Sequence, residues 1–162
     1  RVAGPLEWLV AEARRNGHEL GLRYGYRSAD LQRTYFLQRI EGWSTDDIVA
    51  GRADDAIDAA LRWVAAPGFS KHQSGFTVDF HAAGGVAFGT SDVGRWLAAD
   101  NHAVAKRFGF IPSYPAGAGA QGPEPEPWEY VYVGVAAIEC AGPLVRDGDR
   151  PAFDACVRDR TP

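Results

Sequence analysis

The chain has 162 residues, of which 46% are hydrophobic and 23% are charged, so it can bury the core of a globular domain. Its formal net charge of −4, without any run rich in lysine or arginine, argues against a nucleic-acid-binding surface. No apolar stretch is long enough to span a bilayer. We therefore expect a single domain at 1–162 that acts as a monomer. Because the first residue is Arg1 rather than methionine, we expect a mature or trimmed fragment, consistent with removal of a signal peptide.

The first half of the chain predicts mainly helices, with one strand between them. Helical spacing of apolar residues and N-capping serines mark the helices, whereas alternation of large and small residues marks the strand. The predicted segments are a helix at about 5–16, a strand within 18–26, a helix from the N-cap Ser28 to about residue 40, a helical turn capped by Ser44 or Thr45, and a helix at about 54–65.

The second half predicts short strands around one long helix. The predicted segments are a strand at 76–80, a helix from the N-cap Ser91 to about Phe108, a strand at 110–114, a mobile surface loop at 115–125, a strand at 128–133, and a short alanine-rich segment followed by a polar tail. Helices that come first, with short strands interspersed, predict an α+β fold with a small, mainly antiparallel sheet flanked by helices.

Two cysteines, Cys140 and Cys156, lie near the C-terminus. If paired, they would close a short loop and contribute about 3 kcal/mol in the chain-entropy description. The alternative is two buried thiols. Neither cysteine has the CxxC spacing of a redox or zinc site, so we predict no catalytic role for them.

Three segments contain residues suited to catalysis: GYRSADLQ at 25–32, PGFSKHQSGFTVDF at 67–80 and EPWEYVYVG at 126–134. In the middle segment, His72 lies in a bend rich in glycine and serine, and Asp79 follows inside an apolar strand. An imidazole and a carboxylate suit Zn²⁺, and a carboxylate that points into the protein needs a partner such as a cation. From the pattern alone, the alternative is an outward-facing Asp79 on a half-exposed strand, with His72 in a loop.

The pattern S-x-H-x(2)-G-x(3)-D, formed by Ser70, His72, Gly75 and Asp79, resembles the zinc motif of the VanY-type D-alanyl-D-alanine carboxypeptidases. Vancomycin-resistance D,D-dipeptidases and phage L-alanyl-D-glutamate endolysins share this motif. Flanking segments are similar in the same order: GYRS with Gln32 upstream, then WLAADNHAVAKRFGFIPSYP, EPW and YVG. The resemblance covers about residues 24–134.

This resemblance implies a D,D-carboxypeptidase/hedgehog-like fold and a zinc peptidase of the bacterial cell envelope, periplasmic or secreted, that acts on peptidoglycan stem peptides. It implies one zinc ion bound by His72 and Asp79, with Glu126 as catalytic base. Arg27 would stabilise the developing negative charge or bind the carboxyl end of the substrate. Further residues that would support the site or contact substrate are Ser70, Gln32, Tyr114 and Trp128.

The sequence departs from the family at one position, because the family pattern ends in E-P-W-H and its histidine is the third zinc ligand. Glu129 stands there instead. First, Glu129 could bind the metal itself, at the expense of Lewis acidity and with a shift towards Mn²⁺ or Ca²⁺. Second, His81 could stand in, since it shares a strand face with Asp79. Third, the site could have lost metal and catalysis, leaving a groove that binds cell-wall peptide or a protein partner.

Overall fold

The computed structural model of the protein describes residues 2–117, 124–144 and 150–161. Within them, the α-helices are α1 (Ala3–Arg15), α2 (Ala29–Arg39), α3 (Thr45–Val49), α4 (Asp54–Leu61), α5 (Asp92–Arg107), α6 (Val135–Leu144) and α7 (Arg150–Arg160). The strands are β1 (Leu20–Tyr24), β2 (Thr77–Ala82), β3 (Phe110–Tyr114) and β4 (Glu126–Tyr132). Short 3-10 turns occupy Lys71–Ser74, Ala83–Gly85 and Phe88–Thr90.

The strands form one antiparallel sheet in the order β1-β2-β4-β3. The predicted α+β class with a small antiparallel sheet is therefore confirmed. The register places Asp79 of β2 between Tyr24 of β1 and Glu129 of β4. On the other side of β4, Tyr114 of β3 lies opposite Glu126. Residues from three predicted motifs thus meet near one end of the sheet.

One face of the sheet forms the main hydrophobic core against α1 and α5. Val78 and Phe80 of β2 and Tyr130 of β4 are almost completely buried there, together with Leu9 of α1 and Leu97 of α5. Because successive side chains of a strand point to opposite faces, Asp79 and Glu129 project from the other face. The apolar contacts on one side therefore fix the position of the acids on the other.

A second, smaller cluster is formed by Phe36, Ile40 and Ala60, and Ile48 of α3 packs against it, so it joins α2, α3 and α4. The predicted N-caps are present: the hydroxyl of Ser28 accepts a hydrogen bond from the backbone of Leu31, and Ser44 forms a capping box with α3. Helix α4 ends at Leu61, earlier than predicted, and the chain then runs in a non-helical path towards Pro67. This path brings residues 63–65 to the site described below.

The prediction of one continuous helix from residue 91 to Phe108 is wrong in its middle. Ser91 does cap α5, but the backbone leaves the helical region at 99–102, where Asp100, Asn101 and His102 have φ values of 50°, 55° and 60°. Asp and Asn adopt this left-handed conformation more easily than most residues. A tertiary contact accompanies the break, since Nδ1 of His102 lies 2.9 Å from the Tyr130 hydroxyl.

The C-terminal prediction is also corrected. Instead of a short alanine-rich segment and a polar tail, the chain forms α6 and α7, and a disulfide joins Cys140 to Cys156. The helices pack against each other, and the covalent link explains how an otherwise polar segment is held in place. The predicted mobile loop at 115–125 lies mostly outside the described residues, because 118–123 are not among them. Strand β4 begins at Glu126, earlier than the predicted residue 128.

Candidate metal centre

His72 is held in place through hydrogen bonds of both its ring and its backbone carbonyl. It lies in the 3-10 turn Lys71–Ser74, which ends at Gly75 in the left-handed conformation, φ 74°. Its Nδ1 lies 2.7 Å from the carbonyl oxygen of Gly25, and its own carbonyl accepts a hydrogen bond from the backbone N–H of Arg27. A ring that donates from Nδ1 to a carbonyl directs the lone pair of Nε2 to the opposite side, as in metal-bound histidines.

Nε2 of His72 faces two buried carboxylates. It lies 3.2 Å from Oδ1 of Asp79 and 3.3 Å from Oε2 of Glu129, and these three residues are at most 6% exposed. Asp79 and Glu129 are direct cross-strand neighbours, an arrangement in which like charges destabilise a sheet. The pair therefore needs a positive charge beside it.

The donor atoms of this group fit a metal ion. Nε2 of His72, Oδ1 of Asp79 and Oε1 of Glu129 are buried without a hydrogen-bond partner in the part of the chain that the structure describes, although such orphaned polar atoms are costly. One ligand atom from each residue lies within 4.8 Å of the others. Nitrogen and carboxylate oxygen are both donors that Zn²⁺ accepts.

Without a metal, protons on His72 and Glu126 reduce the negative charge of the site. Burial lowers the pKa of His72, but the facing carboxylates of Asp79 and Glu129 outweigh burial and raise it to about 9. Burial and the charges of Glu129 and Asp79 raise the pKa of Glu126 to about 8. Metal-free protein at neutral pH therefore carries a proton on both His72 and Glu126, and a cation that binds Nε2 must displace the imidazolium proton.

Arg27 reaches the same site from the loop after β1. Its Nη2 lies 4.0 Å from Oδ2 of Asp79, and its Nη1 donates a hydrogen bond to Oε1 of Gln32 at 2.9 Å. Gln32 is buried, and its Nε2 donates to the carbonyl of Ala65 at 2.6 Å. The ring of Tyr35 packs against the guanidinium. This chain of contacts fixes the guanidinium close to the acids.

A cavity of about 160 Å³ opens onto these groups. All nine site residues predicted from the sequence line it, namely Arg27, Gln32, Ser70, His72, Asp79, Tyr114, Glu126, Trp128 and Glu129. The structure thus brings them together, while their individual roles remain predictions.

Among the residues at the site that were not predicted from the sequence are Trp63 and Lys71. Trp63 lines the cavity, but in the sequence it falls within the helix predicted at about 54–65. A tryptophan there cannot be distinguished from a residue that packs in the core. Lys71 donates a hydrogen bond from Nζ to the carbonyl of Ser113 at 2.7 Å and lies over the ring of Tyr114, 3.7 Å from its centroid. Its position beside His72 was the available signal. Lys71 anchors the histidine turn to the end of β3.

His81, the alternative third ligand, does not join the metal-binding group of His72, Asp79 and Glu129. Its side chain is exposed, and its ring lies against the backbone of Gly21, so closely that a Cβ added to this glycine would overlap the ring. The strand face that His81 shares with Asp79 is therefore not enough to make it a metal ligand, because its ring turns towards β1 rather than towards the acids.

Comparison with known proteins gives a consistent result. The family model of the VanY D-alanyl-D-alanine carboxypeptidases matches residues 1–135. The chain is 33% identical over 115 residues to a D-alanyl-D-alanine carboxypeptidase of Enterococcus faecalis, covering 71% of this chain and 40% of that protein. It is 32% identical over 119 residues to the putative carboxypeptidase YodJ of Bacillus subtilis, covering 70% and 38%. The chain thus spans about two fifths of the length of these relatives.

Solved structures of similar proteins superpose on almost the whole chain. A mutant of the vancomycin resistance D,D-pentapeptidase VanY in complex with Zn(II) superposes with a TM-score of 0.66 at 30% identity, covering 97% of this chain and 82% of that one. VanYB in complex with D-alanine-D-alanine gives 0.68 at 29% identity, with 99% and 82% covered. The LdcB LD-carboxypeptidase, described with its peptidoglycan recognition, gives 0.65 at 28% identity, with 94% and 66% covered.

Proposed function

The chain belongs to the VanY family of D-alanyl-D-alanine carboxypeptidases, and we propose that it is a zinc-dependent peptidase that hydrolyses the D-alanyl-D-alanine end of peptidoglycan stem peptides. The observation that carries this proposal is the buried group of His72, Asp79 and Glu129, whose donor atoms converge without hydrogen bonds beside Glu126. A relative bound to Zn(II) and another bound to D-alanine-D-alanine support the choice of metal and substrate.

His72, Asp79 and Glu129 would hold the metal. When bound, zinc supplies Lewis acidity and lowers the pKa of a coordinated water to about 7. The hydrogen bond of His72 to the carbonyl of Gly25 keeps its ring oriented towards the acids.

The remaining chemistry belongs to Glu126 and Arg27. The Glu126 carboxylate accepts a proton from the attacking water and passes it to the nitrogen of the leaving D-alanine as the peptide bond breaks. For this, Glu126 must be ionised, and a cation beside it lowers its pKa from the raised value of the metal-free site. The Arg27 guanidinium, oriented by Gln32, pairs with the developing oxyanion or with the terminal carboxylate of the substrate.

Glu129 in place of histidine should weaken this activity. Two anionic ligands reduce the effective charge of the metal, so the pKa of bound water rises and turnover at neutral pH falls. A donor set with more oxygen also shifts preference towards Mn²⁺ or Ca²⁺.

We further propose that the protein acts outside the cytoplasm and as a monomer. We propose that it forms a single peptidase-like domain at 1–162, with its motif-bearing part at about 24–134. The Cys140–Cys156 disulfide supports an oxidising compartment such as the cell envelope. In residues 2–117, 124–144 and 150–161, no helix combines the length and apolar character needed to cross a membrane.

A second candidate is a module without catalysis that binds peptidoglycan peptide or a protein partner through the same cavity. The charge pattern favours it specifically, because protonated His72 between Asp79 and Glu129, together with Arg27 beside Asp79, balances the two carboxylates without a metal.

Metal analysis and D-alanine release separate the two candidates. The purified protein, prepared without chelator, is assayed for zinc content and for D-alanine release from a peptide ending in D-Ala-D-Ala. The proposal predicts about one zinc per chain and a loss of roughly 10²–10⁴-fold in turnover for Glu126→Gln. Glu124→Gln, an exposed glutamate of the same segment that pairs with Arg62, is the matched control and should keep full activity. Peptide binding without zinc and without turnover would instead support the binding module.

A further inference from the structure

A groove adjoins the metal centre on the side of the turns that follow β2. Its volume is about 1060 Å³, far larger than the cavity of about 160 Å³ at the metal-binding group. The two depressions share Asp79 and Trp128. The groove is lined by the ends of β1 and β2, the 3-10 turns at 83–90 and Pro127, and we call it the Arg23 groove after its one arginine.

The walls of the Arg23 groove are closely packed. A Cβ on Gly89 would lie 2.8 Å from Cγ of Pro127, so the backbone of the turn contacts the residue before Trp128 directly. The ring of His81, which also lines the groove, lies against the backbone of Gly21 in β1. These contacts join the turn at 88–90 to β4 and β2 to β1, so packed elements of the fold form the walls of the groove, as in most binding sites.

The charge of the groove favours an anion. Arg23 is exposed, and its guanidinium carbon lies 5.4 Å from the centroid of the Tyr24 ring, whose ring also packs against Arg27. Of the described residues along the groove, Asp79 is the one acid, and its carboxylate faces His72. Arg23 therefore presents a positive charge to the groove without a facing carboxylate.

We infer that the Arg23 groove binds the part of the peptide substrate on the amino side of the scissile bond, and that Arg23 recognises a free carboxylate in that part. The inference rests on the proposed function. The cavity beside Arg27 and His72 has room for a small terminal residue, and it shares Asp79 and Trp128 with the Arg23 groove, so the longer part of a peptide can extend past these two residues. That path enters the Arg23 groove.

The test compares two peptides that differ only in one carboxylate. Both end in L-Lys-D-Ala-D-Ala and carry an upstream γ-linked D-glutamyl residue, with its α-carboxylate either free or converted to the amide. For Arg23→Gln, the KM of the free-acid peptide should rise about two- to fivefold, the range of an exposed ion pair. The KM of the amide and both kcat values should stay unchanged. Arg33→Gln, on the exposed side of α2, is the matched control and should change nothing.

A binding measurement keeps this inference separate from the proposed function. Dissociation constants of both peptides are measured on Glu126→Gln protein, with and without the Arg23→Gln change. If the protein binds the free-acid peptide more tightly than the amide, and Arg23→Gln removes this preference, the inference is supported. This holds even if the wild-type chain shows no turnover; then only the proposed function fails. Equal affinities for the acid and the amide, or an equal effect of Arg23→Gln on both, would overturn the inference while leaving a turnover result intact.

Discussion

Neighbouring residues on the two faces of β2 and β4 are buried to a similar degree but have opposite chemistry. Val78, Phe80 and Tyr130 pack among apolar side chains on one face, whereas Asp79 and Glu129 are almost as inaccessible on the other. The apolar face stabilises the sheet in proportion to the area removed from water, and the charged face costs free energy unless a cation or proton neutralises it. The same strands thus supply stability on one side and a reactive site on the other.

The largest expected effect on stability tests the apolar face. Phe80→Ala should lower the free energy of unfolding by about 3–5 kcal/mol, since Phe80 is 1% exposed and packs against Phe88, Phe110 and Tyr130. Phe69→Ala removes the same kind of side chain from a position that is 81% exposed, so the free energy of unfolding should change by less than about 0.5 kcal/mol. Denaturant unfolding measures both, and equal losses would contradict the assignment of stability to this face.

A substitution on the charged face should act on metal and turnover instead. Glu129→His exchanges an anionic ligand for a neutral one, and we expect zinc affinity and kcat/KM each to rise by about tenfold, equivalent to ~1.4 kcal/mol. Glu129→Gln keeps the size of the side chain but removes its charge, so zinc affinity should fall. Competition with a chromogenic chelator measures the zinc affinity of both variants, and D-alanine release measures kcat/KM. If neither variant alters zinc binding, Glu129 is not a ligand.

The smallest effect is a pH dependence of stability in metal-free protein. The folded-state pKa of His72 rises to about 9 from an ordinary value of 6.5, and that of Glu126 to about 8 from 4.5. The folded chain therefore binds more protons than the unfolded chain at intermediate pH. Their stabilising contribution is complete at low pH and is lost as pH rises through about 8 and 9.

The corresponding measurement is Tm in the presence of chelator between pH 6 and pH 9. We expect Tm to fall over this range, to fall less in Glu126→Gln, and to lose this dependence when saturating zinc replaces the proton of His72. A Tm that is flat or rising in metal-free protein would mean that the charged face is not held together by these protons.

Most helices and strands could be predicted because their signals are local. Ser28, Ser44 and Ser91 each begin a helix, and alternation identifies β1 and β2. The cluster of His72 with Asp79 became predictable only through the collinear motifs of the family, since spacing alone left an outward-facing aspartate as an alternative.

The rest depends on tertiary contacts that no short segment encodes. The break of α5 at 99–102 accompanies the contact of His102 with Tyr130, which lies in β4. The helices α6 and α7 are joined by a disulfide whose formation cysteine counting left open. Trp63 reaches the cavity because α4 ends early, and His81 stays away because its ring packs on Gly21.

The most direct test is a crystal of the protein grown or soaked with zinc and measured at the zinc absorption edge. We predict one strong anomalous peak within about 2.0–2.2 Å of Nε2 of His72 and of carboxylate oxygens of Asp79 and Glu129. If a crystal soaked in excess zinc shows no peak between these three side chains, or shows its strongest peak elsewhere, the metal centre is contradicted.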